Sequence, residues 1–279
     1  MLKKTYLTSG IGYVILGIWG LFTFVLIGWV FFASLSTSRE IFSDHMFKFQ
    51  SGFHFENYVK AWKTQRVSVF FMNSLFYTLL SCTAIVFIAA PAAYTLSRFR
   101  FPGSSLIQNM FAAALGIPVI MIIIPLFGLA SMLRLTNNRW ILLFLYTAMN
   151  VPFGVFYLLA FFRHLSFTYE EAAAIDGCPP IKTFWLIMFP LVQPGIITVS
   201  IFNFITIWNE YFMSLIFANR TTVRPVAVGL YNMIQSMRYT GDWGGMFASV
   251  VIVFLPTFIL YILLSEKIIA GVTAGAIKG

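Results

Sequence analysis

The chain reads as long charge-free apolar runs separated by short polar connections. Six runs recur: Thr5 to Ser38, Val67 to Ser97, Phe101 to Leu133, Trp140 to Phe162, Thr183 to Asn219, interrupted only by Glu210, and Trp243 to Ser265. Each holds the ~20 residues that a helix rising about 1.5 Å per residue needs to cross a hydrocarbon core of about 30 Å. The runs are continuously apolar, whereas strands of a membrane barrel would alternate in polarity, so they predict helices. We expect an all-α polytopic membrane protein with six transmembrane helices near residues 11–33, 69–96, 104–132, 140–162, 191–217 and 245–265. The first run follows Lys3 and Lys4 as a signal peptide would, but it exceeds the ~7–15 apolar residues of one and reads as a retained helix.

Proline punctuates the spans at Pro91, Pro118, Pro125, Pro152, Pro194 and Pro256. Each removes an intrahelical hydrogen bond and favours a kink, although prolines are also commoner in membrane helices than in soluble ones. No internal repeat or Gly/Ser-rich linker marks a second domain, so a single membrane domain over residues 1–279 is expected.

Composition agrees with the pattern: 59% of the 279 residues are hydrophobic and 10% charged, against roughly 45–50% and about 25% in soluble domains. The excess is bulky, with 32 Phe, 12 Tyr and 7 Trp, which excludes disorder. The formal charge of +9 lies in short connections and implies no nucleic-acid partner. Two cysteines, Cys82 and Cys178, make neither a disulfide framework nor a zinc site. With an N-terminus on the cytoplasmic side, as Lys3 and Lys4 suggest, 8 basic residues fall inside and 10 outside, so the positive-inside rule leaves the orientation open.

The stretch from Arg163 to Pro190 is the most structured of the polar connections. Thr168 and Glu171 form a capping-box pattern, and the run from Glu170 to Asp176 is strongly helix-forming. Gly177 supplies a left-handed stop, and Pro179 and Pro180 cannot continue the helix. Ile181, Phe184, Trp185 and Met188 then recur at helical spacing, the pattern of an amphipathic segment at the membrane edge before Pro190 turns the chain. Taken alone, Glu171 could serve as a cap and the alanines as packing residues.

Glu171-Ala172-Ala173, then Asp176-Gly177, Phe184 and Pro190, resemble in order and spacing the cytoplasmic loop of permease subunits of ATP-binding-cassette importers. Cys178, Pro179, Pro180 and Phe189 depart from that family's usual residues. Further similarity to carbohydrate-uptake permeases lies in Asn57-Tyr58, Asn73-Ser74, Ala93-Tyr94, Arg98-Phe99, Phe101-Pro102-Gly103 and Trp208-Asn209-Glu210. The ending Ala274 to Gly279 is similar to the tail of the second permease of maltose-type systems. The resemblance implies a type I importer permease fold, with a coupling loop at about 163–190 that docks on a separate ATPase and outer loops at about 34–66 and 218–244. It implies that Glu170, Glu171, Ala172, Ala173, Asp176, Gly177 and Pro190 belong to the coupling site, and that Lys278 and Gly279 approach the ATPase interface. It also places the loop, and with it both termini, in the cytoplasm of a bacterial inner-membrane protein.

Glu210 is the one charged residue inside an expected span, and an ionisable group there normally faces a bundle interior or a wet cavity. Asn203, Thr206, Glu210 and Ser214 fall on one helical stripe. Thr206 and Ser214 read as interhelical hydrogen-bonding residues. Asn203, Trp208, Asn209 and Glu210 are the candidates for a substrate path or gate. Most tryptophans fall near span ends, as interfacial belt residues do. His45, His54 and His164 lack ligand spacing, and no phosphate loop, catalytic triad or paired carboxylates occur. The chain is therefore expected to be no enzyme, with no catalytic or metal-binding residues and no cofactor of its own.

By the resemblance, ATP and Mg belong to two partner ATPase subunits. The remaining partners are a second homologous permease, an extracytoplasmic solute-binding protein and the lipid bilayer. The cargo expected is a sugar or oligosaccharide moved by alternating access. An ion-coupled secondary carrier using Glu210 is the alternative, although the inverted repeats of such carriers are not seen.

Overall fold

The computed structural model describes residues 2–43 and 51–276, which form helices without a strand. The helices are α1 Leu2–Ser34, α2 Ser38–Ile41, α3 Glu56–Val59, α4 Val67–Arg98, α5 Ser104–Ala114, α6 Val119–Met132 and α7 Arg139–His164. They continue as α8 Thr168–Ile175, α9 Pro180–Thr183, α10 Phe189–Leu191, α11 Gln193–Trp208, α12 Phe212–Phe217, α13 Val226–Thr240 and α14 Trp243–Ala276. Single turns of π-helix occupy Lys60–Thr64 and Phe184–Met188.

Four helices among the described residues are long and apolar enough to cross a membrane: α1 over Gly12–Ser34, α4, α7, and α14 over Trp243–Glu266. Two bent pairs bring the number to six if each is one span: α5 with α6 at 99°, and Pro180–Leu191 with α11 at 73°. The expected third span, 104–132, is therefore broken. Pro118 stands in extended conformation before α6, because it can offer no N–H to the turn behind it. Pro91, Pro125, Pro152 and Pro256, by contrast, lie inside unbroken helices. The expected fifth span, 191–217, is also divided: α11 ends at Trp208 and α12 begins at Phe212. The connections expected at 34–66 and 218–244 contain α2, α3 and α13, which the hydropathy pattern did not separate from loop.

The chain folds as two compact units, one of residues up to 68 with 230–255, the other of 69–229 with those from 256 on. In the first, Ala61, Val67, Met233 and Ala248 form one small core, and Ala33 and Ile41 pack with Trp29, Trp243 and Phe247 in another. Polar side chains close the gaps that so small a core leaves. Asn57 Nδ2 donates to the Ser34 and Ser36 carbonyls, both at 3.0 Å, satisfying acceptors that the end of α1 leaves orphaned. Gln65 donates to Asp242 at 2.9 Å and accepts from Ser249 at 3.1 Å.

Thr37 and Glu40 form a capping box at α2. The Glu40 carboxylate also accepts from the Ser51 N–H at 3.0 Å and its hydroxyl at 2.8 Å. The Thr37 N–H is the main cause that holds the Glu40 carboxyl at about 2, below the ordinary 4.5; burial opposes it and the Ser51 and Thr37 donors add to it.

The second unit is built around α7, whose Leu142, Leu145, Tyr146, Val155, Leu158 and Phe162 are buried. Gly154 lets α7 approach α4 closely: a Cβ there would stand 2.9 Å from Ala89 Cβ and 3.2 Å from Ile85 Cγ2. Small residues commonly let membrane helices approach in this way. At one end of α4, Asn73 Nδ2 donates to the Thr222 and Arg224 carbonyls at 2.9 Å. The Ser74 hydroxyl accepts from Val226 N–H at 2.8 Å.

Candidate functional site

Two places in the second unit gather the residues singled out in the sequence. The first is the segment after α7. The run of glutamates and alanines makes α8, but its start differs from the expected capping box. Thr168 lies already inside the helix, no side chain caps Phe167, and Ser166 Oγ instead accepts from the Thr168 N–H at 3.3 Å. The stop is as expected. Gly177 has φ 72°, Cys178 N–H donates to the Ala173 carbonyl at 2.8 Å, and Gly177 N–H donates to that of Ala174 at 3.1 Å. This pair of bonds is the Schellman motif, and glycine adopts the left-handed conformation without a Cβ penalty. Pro180, at the first turn of α9, starts the next helical stretch.

The two faces of α8 divide the motif. Glu171, Ala172 and Asp176 are exposed, and Ile175 is 86% exposed. Ala173 points the other way and is buried, whereas Ala172 is exposed. Glu170 also turns inward: its Oε1 accepts from Arg98 Nε at 2.6 Å, with the two side chains 19% and 4% exposed respectively. Arg98 Nη2 donates to the Leu165 carbonyl at 2.9 Å, and its guanidinium lies 4.3 Å from the centroid of the Phe167 ring. Beyond α9 only half of the expected amphipathic stripe is covered: Phe184 and Met188 are buried, while Ile181 is exposed and Trp185 partly so. Pro190 lies exposed in α10, and the bend comes two residues later, at Val192. The sequence marks Arg98 only as part of the Arg98-Phe99 pair at a span end and not as a partner of this segment, since its contacts are 67 to 72 positions away.

The second place is the break between α11 and α12. Glu210 Oε1 accepts from Met213 N–H at 2.6 Å, and Oε2 accepts from Ser214 N–H at 3.0 Å and Tyr146 OH at 3.0 Å. The carboxylate caps α12 and ties it to α7, which replaces the expected position within a continuous span. With the helix interrupted, the proposed stripe does not form one face: Asn203 and Ser214 are buried, Thr206 is exposed and Glu210 is half-buried. Trp208 is buried against Phe71, with ring centroids 5.4 Å apart, and against Phe204 at 5.7 Å. It is therefore no interfacial belt residue, unlike the exposed Trp19 and Trp140. Asn209 alone of the four path candidates is exposed. Lys278 and Gly279 lie outside the described residues, as does His45.

Among the described residues no group of three or more His, Cys, Asp or Glu side chains could hold a metal ion. What the arrangement offers chemically is recognition: a rigid, surface-presented helix of small and acidic residues with an exposed isoleucine.

Residues 84–266 match the family described as binding-protein-dependent transport system inner membrane component. The chain is 31% identical over 97% of its length to the diacetylchitobiose uptake system permease protein NgcG of Streptomyces coelicolor, covering 89% of that protein. It is also 31% identical over 96% of its length to the trehalose/maltose transport system permease protein MalG of Thermococcus litoralis, covering 95% of it. A crystal structure of a bacterial ABC transporter that imports the acidic polysaccharide alginate contains a chain of similar fold, with TM-score 0.78 and 23% identity over 92% of this chain and 94% of that one.

Proposed function

Since this chain belongs to the family of binding-protein-dependent transport system inner membrane components, we propose that it is one of two permease subunits of an ATP-driven importer of a sugar or oligosaccharide. The named cargoes of its relatives support the sugar class. The observation that carries the coupling role is α8: its buried side is locked to α4, while Glu171, Ala172, Ile175 and Asp176 stand free on its outer face. That face docks in a groove of an ATPase subunit in the cytoplasm. Both termini then lie on the same side, and the connection between α12 and α14 faces the extracytoplasmic binding protein. The ATPase subunits hold ATP and Mg and hydrolyse the nucleotide, and their closure and release shift the permease pair between inward-open and outward-open states.

Within this reading Asn209 faces the sugar route, and Asn203, Trp208 and Glu210 hold its wall in place. An ion-coupled carrier is not favoured. A sodium site needs converging oxygen atoms, whereas the Glu210 carboxylate is met by two backbone N–H groups and a phenol hydroxyl.

The test is co-purification of the full chain with its second permease and cognate ATPase, together with uptake in cells. Glu171→Ala should weaken ATPase association by about tenfold or more, since truncating one side of a buried interfacial charge pair usually costs over 1.4 kcal/mol. If the unmodified chain never associates with the ATPase, or E171A alters neither association nor uptake, the coupling role is wrong.

A further inference from the structure

We infer that Arg98 is a positioning residue for coupling: it fixes the orientation of α8 relative to α4, and this contact carries the movement of α4 to the ATPase-facing surface. The inference rests on the importer reading given above, and it adds a residue that does not touch the proposed partner.

Three observations support it. The hydrogen bonds and ring contact described for the Arg98 side chain fall on one six-residue stretch: the Leu165 carbonyl, the Phe167 ring and the Glu170 carboxylate. The guanidinium thus grips the end of α7, the entry to α8 and its first turn together, using its planar fork in a way a lysine cannot reproduce. Second, the contact is shielded. The Arg98 side chain is 4% exposed and that of Glu170 19%, and an ion pair largely out of water is both expensive to break and geometrically demanding. Among the described residues it is the one salt bridge of an Arg or Lys with a carboxylate, in a chain with only 9 acidic residues.

Third, Arg98 is the last residue of α4. That helix is 32 residues long, or about 48 Å at about 1.5 Å per residue. Its other end is bonded through Asn73 and Ser74 to residues 222, 224 and 226. One rod therefore joins a connection at one end of the unit to the α8 segment at the other. Glu170 is reassigned accordingly. Its carboxylate serves the internal clamp, leaving Glu171 and Asp176 as the acidic groups of the docking face.

The experiment uses the assembled transporter in lipid vesicles, with the variants R98A, R98K, R98E, E170R and the swap R98E/E170R. It reads ATPase activity with and without loaded binding protein, sugar taken up per ATP, and co-purification of the ATPase. A nitroxide is placed at I175C, in a background with Cys82 and Cys178 changed to serine, to report the mobility of α8. R98A should keep the ATPase bound while its stimulation by binding protein falls about tenfold, within the range of typical coupling energies. R98K should fall between R98A and the unmodified chain. Nitroxide mobility at 175 should rise in R98A and fall back in the swap, which should also recover part of the stimulation lost by either single charge reversal.

Unchanged stimulation and mobility in R98A would overturn the inference. So would a swap no better than its parents, or loss of assembly in R98A that R98K and the swap share, which would make the pair a folding element only. If the unmodified chain fails to bind the ATPase, the importer reading falls instead, and the nitroxide arm still decides whether Arg98 orders α8.

Discussion

A carboxylate within an apolar stretch needs hydrogen-bond donors around it, and Glu210 has two backbone N–H groups and the Tyr146 hydroxyl. Its anomaly was visible in the sequence, but its job was not, because capping depends on the chain breaking at Asn209, where hydropathy is blind. Glu210→Gln keeps one acceptor oxygen but turns an amide NH2 toward donors that the second oxygen served, and should cost about 1–3 kcal/mol, the penalty of an unmet buried donor. Glu210→Ala orphans all three donors and should cost more. Thermal unfolding of the purified complex in detergent separates them, with E210A expected below E210Q and uptake by E210Q within a few-fold of normal. An E210Q protein as stable as the parent but inactive in uptake would return the carboxylate to the sugar route. Arg98 and Glu170 show the same limit of sequence reasoning: each was noted for its place in a motif, yet their pairing is a long-range fact of the fold.

For elements, length and apolarity were enough to pick out the four helices long and apolar enough to cross a membrane, whereas the third run is a bent pair and the bent pair of the fifth lies at Pro180–Trp208 rather than 191–217. The bends at 115–118 and at Val192 were hidden because bending changes backbone direction without changing apolarity. Of the six prolines noted inside the runs, Pro118 and Pro194 start helices and the other four are absorbed, so a proline alone did not mark a bend. The T-x-x-E signature occurs at both Thr37 and Thr168, and only the first forms a capping box. Close approach of α4 and α7 is also a property of the pair of helices. Gly154→Ala should destabilise the second unit by about 1–3 kcal/mol, as overpacking does, and Ala89→Gly in the same chain should recover part of the loss by removing the nearest atom. Thermal midpoints of the single and double variants measure this. Additive losses would mean that the two positions do not meet.

At the scale of the whole molecule, charge is scarce and unevenly used: 9 acidic residues against 18 basic ones. Few groups can therefore govern its response to acid, and Glu40 is one. Its carboxyl is held at about 2 in the folded chain against an ordinary 4.5. A depressed carboxyl stabilises the fold fully above the ordinary value, and that contribution is lost as pH falls from about 4.5 towards about 2. Thermal midpoints recorded from pH 6 to pH 3 should drop below pH 4.5, and Glu40→Gln should start lower and drop less. Parallel curves for the two proteins would show that Glu40 does not carry the effect.

The segment held by Arg98 and closed by the Schellman turn has a further thermodynamic consequence. Ordering a loop costs roughly 1–2 kcal/mol per residue in backbone entropy alone, and α8 has 8 residues. Because the chain's own contacts already meet that cost, a partner seating on Glu171, Ala172 and Ile175 does not have to fold its target first. The surface is preorganised, so on the proposed reading the free energy of docking stays available for work on the membrane helices.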